Sequence, residues 1–123
     1  MNITTTKKDK YTLVKLTDTK LTSLNAPDLK SQFVVIHGQG ERNVVVDLSE
    51  IEYSDSSGLS AILVGNRLCK TANGTFIIAC VKDAVMKIIS ISQLDKVLTI
   101  TPTVDEAVDL VYMDEVERDL MNE

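Results

Sequence analysis

The sequence predicts an α/β fold, a mixed β-sheet with helices packed mainly against it, on three observations. Short runs of β-branched and apolar residues alternate with longer segments whose apolar residues recur at helical spacing. Two of the short runs, Val44-Val45-Val46-Asp47-Leu48 and Thr75 to Val81, are apolar on successive positions, as in strands covered on both faces. No linker, repeat or low-complexity segment interrupts the alternation over 123 residues, a length that suits one domain with its own core. The order that results is β-β-α-β-α-β-α-β-α.

Each element has its own warrant. Ile3 to Thr6 and Tyr11 to Leu16 are β-rich, with Asp9-Lys10 as the turn between them. Ala26, Leu29, Phe33 and Ile36 recur at helical spacing, and Pro27 suits a first helical turn, where its missing N–H costs nothing. Gly38-Gln39-Gly40 stops that helix, because glycine reaches backbone angles that other residues avoid. After the Val44–Leu48 strand, the segment from Glu50 to Ser57 is polar and turn-like. A helix follows from about Gly58 to Ala72 with two apolar stripes, so it is expected to be largely enclosed. Asn73-Gly74 ends it. Gly65 inside the helix costs ~1 kcal/mol relative to Ala, which implies close packing against a neighbour. Asp83 opens a helix with Val85, Ile88 and Ile89 on one side, and Val97 to Ile100 forms a short strand. Thr103 and Glu106 make a capping-box pattern ahead of a last helix with Val104, Ala107, Val108 and Val111 on its core face. Beyond Tyr112 the chain is acidic and less periodic, an extension at about 113–123 in which the helix is expected to fray.

Composition excludes several classes of function. Apolar residues make up 44% and charged residues 25%, a balance that argues against disorder. Acids outnumber bases 18 to 13, for a net charge of −5, which disfavours direct nucleic-acid binding and anionic membrane surfaces. No apolar run approaches the ~18 residues needed to span a bilayer, and Met1 to Thr6 lacks the cationic-then-apolar pattern of a signal peptide. A cytoplasmic location is expected. Cys69 and Cys80 lie too far apart for a C-x-x-C pair and read as small buried hydrophobes.

The segment that carries chemistry is Tyr53-Ser54-Asp55-Ser56-Ser57-Gly58-Leu59, between a strand and an apolar helix. Small oxygen-bearing side chains suit a helix N-terminus, whose first N–H groups lack intrahelical partners. Those N–H groups and the helix dipole also favour an anion, including a phosphate carried on a serine. Val45-Val46-Asp47-Leu48-Ser49, followed by Tyr53 to Leu63, resembles the STAS domain signature of bacterial anti-sigma factor antagonists. Leu21-Thr22 ahead of Asn25-Ala26-Pro27-Asp28-Leu29, and Ile91 to Val97, extend the resemblance over about Tyr11 to Tyr112.

The resemblance implies a STAS-type mixed sheet and a single STAS domain over residues 1–123. It further implies phosphorylation at Ser56, the serine directly after the Asp. Thr22, Asp55, Ser57, Gly58 and Leu59 then form the switch loop and partner-binding surface. Where many family members carry Asp after the leucine matching Leu21, this chain has Thr22. The implied partner is an anti-sigma factor serine kinase that brings its own ATP, with a serine phosphatase to reset the switch, so no cofactor is expected.

Blander alternatives stand beside each reading. Ser56 and Ser57 can serve as capping residues only, and Asp55 as a turn residue or as the group that orients the Ser56 hydroxyl. A serine hydrolase lacks partners, since His37 is the only histidine, lies at the end of another helix, and no Gly-x-Ser-x-Gly elbow exists. Gly38-Gln39-Gly40 lacks the third glycine of a dinucleotide fingerprint, and Asp47, Glu50, Glu52 and Asp55 match no Ca²⁺ loop. Gly58 is expected to let the backbone pass close to a partner. The reading is a non-enzymatic regulator that sequesters a kinase when unphosphorylated and so releases a sigma factor. The rival reading is a STAS accessory subunit of a lipid ABC transporter.

Overall fold

The computed structural model describes residues 2–121. Its main sheet has five strands: β1 (Ile3–Lys7), β2 (Thr12–Leu16), β4 (Val44–Asp47), β6 (Phe76–Ala79) and β7 (Thr99–Thr101), in that spatial order. β1 and β2 form an antiparallel hairpin, and every later neighbour pair is parallel. The parallel pairs are crossed over by helices α1 (Ala26–Gly38), α2 (Ser56–Thr71) and α3 (Asp83–Ile91), the last followed by a 3-10 turn at Leu94–Lys96. Helix α4 (Val104–Met121) closes the chain.

The unbroken apolar runs of β4 and β6 follow from the layering. Val44 and Val46 with Phe76 and Ile78 face α1, α2 and α3, where they meet Leu29, Phe33, Ile62 and Ile89. Val45, Ile77 and Ala79 point the other way, onto Ala107 and Val111 of α4. Successive side chains on a strand alternate faces, so a strand sandwiched between helices needs an apolar residue at every position. Each fully buried Val, Ile or Leu contributes about 1.5–3 kcal/mol of transfer free energy.

Glycines mark two places where the layers touch. A Cβ on Gly65 would lie 2.6 Å from Phe76 and 2.8 Å from Phe33. Those two rings meet edge to face at 5.6 Å across the helix–sheet interface. This is the close packing that a glycine inside α2 implied. At the C-terminus of α2, Asn73 takes a left-handed φ of 58°. Gly74 then passes so near β4 that a Cβ would stand 1.8 Å from the Arg42 carbonyl oxygen.

The last strand is shifted from the expected Val97 to Ile100, starting at Thr99 and leaving Val97 exposed at the end of the 3-10 turn. The structure departs from the sequence reading in four further places. A second, two-stranded parallel sheet pairs β3 (Lys20–Leu21) with β5 (Tyr53–Ser54) inside a segment that reads as a polar turn. Helix α2 begins at Ser56, two residues before the expected start. Cys69 is buried, but Cys80 is only half-buried, just past the end of β6. Burial pushes the Cys69 thiol up to about 12, which makes it chemically inert at neutral pH.

The fourth departure is α4, which does not fray near Tyr112 but continues to Met121. Asp114, Glu115 and Arg118 bind polar groups at the amino ends of the strands instead of packing apolar side chains. Residues 122 and 123 of the expected acidic extension lie outside the described residues.

Candidate functional site

At the carboxyl end of the sheet, β3 and β5 bring two distant loops together. The Glu52 N–H donates to the Thr19 carbonyl at 2.7 Å, and the Asp55 N–H to the Leu21 carbonyl at 3.2 Å. This short ladder sets the start of α2 beside the loop Thr22–Asn25.

Asp55 is the N-cap of α2. Its Oδ1 accepts the Gly58 N–H at 2.9 Å, and its Oδ2 accepts the Ser23 N–H at 3.2 Å. One carboxylate therefore satisfies an orphan donor of the helix and tethers the neighbouring loop. The Leu59 N–H makes the first helical bond, to the Asp55 carbonyl, at 3.2 Å.

With the capping duty taken by Asp55, Ser56 is the first helical residue, and its side chain is exposed. Among the described residues its hydroxyl has no hydrogen-bond partner, and both Asp55 oxygens are held by backbone N–H groups. Asp55 thus does not orient the Ser56 hydroxyl, and Ser56 and Ser57 are not the caps. Ser57 is half-buried. The arrangement leaves a free nucleophilic oxygen at the positive end of a 16-residue helix.

Gly58 and Leu59 lie beneath this surface. Leu59 is part of the main core. A Cβ on Gly58 would stand 2.3 Å from Ser54 Oγ and 2.5 Å from the Leu21 carbonyl oxygen. The requirement for glycine therefore comes from inside the protein, where α2 presses on β3 and β5, and not from close approach of a partner.

Thr22 is half-buried and organises its loop. Its N–H donates to Asn25 Oδ1 at 2.8 Å, its hydroxyl accepts the Leu24 N–H at 3.3 Å, and its carbonyl accepts the Ala26 N–H at 2.7 Å. Asn25 fastens the loop from the other side, its side-chain amide donating to Asp18 and to the Lys20 carbonyl. These contacts push Leu24 into solvent at 92% exposure, and Tyr53 stands 47% exposed on β5.

Ser23, Leu24, Asn25, Tyr53 and the buried Ser54 are residues of this region that the sequence reading did not assign. Asn25 had a visible signal, an Asx residue directly before a helix that starts Ala-Pro. Leu24 had none, because an exposed leucine in a loop has no period. His37 lies half-buried in the last turn of α1, far in sequence from this loop and as expected for a residue at a helix C-terminus. Among the described residues, no three His, Cys, Asp or Glu side chains converge as a metal site would require, and no helix is long and apolar enough to cross a membrane.

Comparison with known proteins agrees with this geometry. Residues 2–107 match the STAS domain family. Over 70 residues the chain is 30% identical to BtrV of Bordetella bronchiseptica, a candidate anti-sigma factor antagonist. That stretch is 57% of this chain and 60% of the relative, so less than two thirds of the relative is spanned. The structure is similar to that of a candidate anti-sigma factor antagonist of Thermotoga maritima, with 25% identity, a TM-score of 0.80, and coverage of 89% of this chain and 94% of the other. It is also similar to Bacillus SpoIIAA in its phosphorylated form, with a TM-score of 0.69 over 89% of this chain and 99% of that one; at 18% identity this likeness speaks for the fold alone. With the family match running from β1 into α4, and with the expected mixed sheet and packed helices observed, the chain belongs to the STAS domain family, among neighbours named as anti-sigma factor antagonists.

Proposed function

We propose that this chain is an anti-sigma factor antagonist whose binding is switched by phosphorylation of Ser56. Unphosphorylated, it binds an anti-sigma factor serine kinase in the cytoplasm and so frees a sigma factor for transcription. The kinase, with its own ATP, phosphorylates Ser56 and ends the interaction, and a serine phosphatase restores it. The whole chain acts as one STAS domain with a short acidic C-terminal extension, and has no turnover of its own. The partner surface consists of the Thr22–Asn25 loop with its exposed Leu24, together with Tyr53 and the start of α2 around Asp55, Ser56 and Ser57. Gly58 and Leu59 hold that surface up from below.

The observation that carries this reading is the exposed, unbonded Ser56 hydroxyl at the first position of α2, with Asp55 already serving as cap. A serine needed only for capping would use its hydroxyl on the helix N–H groups. A phosphate brings about −1.5 to −2 charges and three acceptor oxygens. Within the chain the helix N-terminus offsets that charge. Across an interface the same group must shed water, and a like charge opposite it costs several kcal/mol. A loss of ~4 kcal/mol weakens affinity about a thousandfold.

The test is mass spectrometry after incubation with the kinase and ATP, then calorimetry on both forms. Phosphate is expected on Ser56, with affinity lost, a constitutively binding Ser56→Ala and a poorly binding Ser56→Asp. Phosphate on Ser54 or Ser57 instead, or equal affinity of the two forms, would remove Ser56 from the mechanism.

A further inference from the structure

The last three turns of α4 carry features that neither the core nor the Ser56 surface uses. Val116 is 57% exposed, Leu120 64% and Met113 60%. With Tyr112 they form one stripe, since positions 112, 116 and 120 recur at one-turn spacing. The stripe faces away from the buried Ala107 and Val111. By helical spacing Glu117 lies on one flank and Asp119 on the other, while Asp105 and Asp109 continue the stripe toward the helix start; all four are exposed. Every exposed charge along this face is therefore negative.

The helix has one cation, Arg118, and it is turned inward: it donates to Thr75 at 3.1 Å and to Asn43 at 3.2 Å, and stands 3.5 Å from Glu115. Glu115 in turn holds Arg42 at 2.6 Å. Those anchors fix α4 rigidly on the domain. Stability of an isolated domain asks for the opposite outer face. Acids near a helix C-terminus oppose the dipole, and large exposed apolar residues on one stripe gain nothing from water.

We propose that this outer face of α4 is a docking surface for a basic amphipathic helix of a partner protein, separate from the Ser56 surface. The apolar stripe supplies the seam. Glu117 and Asp119 receive Lys or Arg side chains from the two borders of the incoming helix, the pattern by which flanking charges choose a partner in paired helices. Charge decides the occupant: a second copy of α4 would set acids against acids in either orientation.

The probe is a synthetic Lys/Leu amphipathic helical peptide of about 18 residues, with a Glu/Leu peptide of the same apolar pattern as control, titrated into the full chain by calorimetry. The Lys/Leu peptide should bind, weaken as salt rises, and outbind the control at least tenfold. The double variant Val116→Asp with Leu120→Asp should lose affinity on the order of a hundredfold, because it breaks the seam. That substitution makes the chain more acidic, so attraction by charge alone predicts tighter binding instead. Val116→Ser should act in the same direction by about tenfold if the double variant fails to fold. Absence of binding, binding that survives in the variants, or equal binding of the two peptides overturns the proposal. So does a dimer in sedimentation that dissociates in the variants, which would give the face to a second copy of the chain.

Discussion

The two ends of the parallel sheet solve opposite problems. At the amino ends, Asn43, Thr75, Arg42, Asp114, Glu115 and Arg118 form a dense polar clamp that ties α4 to β4 and β6. At the carboxyl ends, the Thr22–Asn25 loop is joined to α2 by the two-residue β3–β5 ladder and a single carboxylate, that of Asp55. The clamp turns its charges inward, whereas the loop region leaves a serine hydroxyl and a leucine free. The proposed switch needs both: a frame that does not yield, and a surface whose groups are not already committed to one another.

A glycine at each end gives the largest test of this contrast. Gly74→Ala places a Cβ 1.8 Å from a backbone carbonyl at the clamp, which cannot yield without separating α2 from β4. We expect a loss of about 3 kcal/mol or more in urea unfolding. Gly58→Ala meets Ser54 Oγ at 2.3 Å and the Leu21 carbonyl at 2.5 Å, on a two-strand ladder that can part locally. Its cost should be smaller, about 2 kcal/mol, with the damage concentrated in partner binding. A Gly58→Ala protein less stable than Gly74→Ala would contradict the contrast.

Next in size is Glu115. Burial raises its pKa, but hydrogen bonds from Arg42 and Asn43 and the charges of Arg42 and Arg118 outweigh this and hold it below the ordinary 4.5. A carboxyl depressed on folding adds stability above its unfolded value, and that stability is lost as pH falls through the lower folded value. Glu115→Ala should cost about 2 kcal/mol at pH 7, because Arg42 and Asn43 lose their charged acceptor and Arg118 is left with neutral partners only. Wild type and variant should converge as pH drops below 4.5. Parallel pH profiles in thermal unfolding would show that Glu115 is not a linked group.

The same contrast explains what the sequence could convey. Strands and helices with apolar faces were legible because unbroken apolar runs are written in Val44–Val46 and Phe76–Ala79, and helical spacing in Leu29-Phe33-Ile36. Gly65 was legible because a glycine inside a helix needs a reason. The β3–β5 ladder was not, since two residues per strand have no period and Tyr53-Ser54 reads as turn. The full length of α4 was harder to read for a related reason: beyond Val111 its inner face is anchored by Asp114, Glu115 and Arg118, while the apolar residues that recur there, Tyr112, Val116 and Leu120, face outward and do not mark a core face. At the start of α2 the residue types were readable but not their division of labour. Ser, Asp and Gly before an apolar helix announce a cap, and only the geometry assigns it to Asp55 and leaves Ser56 free.

That division of labour predicts the smallest effects. Asp55→Ala removes the cap and the Ser23 tether and should cost about 1 kcal/mol. Asp55→Asn keeps an accepting oxygen for Gly58, and Asn caps helices about as well as Asp, so its cost should be a few tenths of a kcal/mol. The informative measurement is the coupling of Asp55 to Ser56. Ser56→Asp adds a negative charge next to the Asp55 carboxylate; the helix N-terminus favours that charge, while Asp55 repels it. In the wild-type background the two effects nearly cancel. In Asp55→Asn the repulsion is gone, and Ser56→Asp should become stabilising by a few tenths of a kcal/mol. A double-mutant cycle in urea, repeated at high salt where the coupling should shrink, reads this difference directly. A cycle with no coupling at low salt would mean that the two side chains do not sense each other, and that charge placed on Ser56 acts only outward, on a partner.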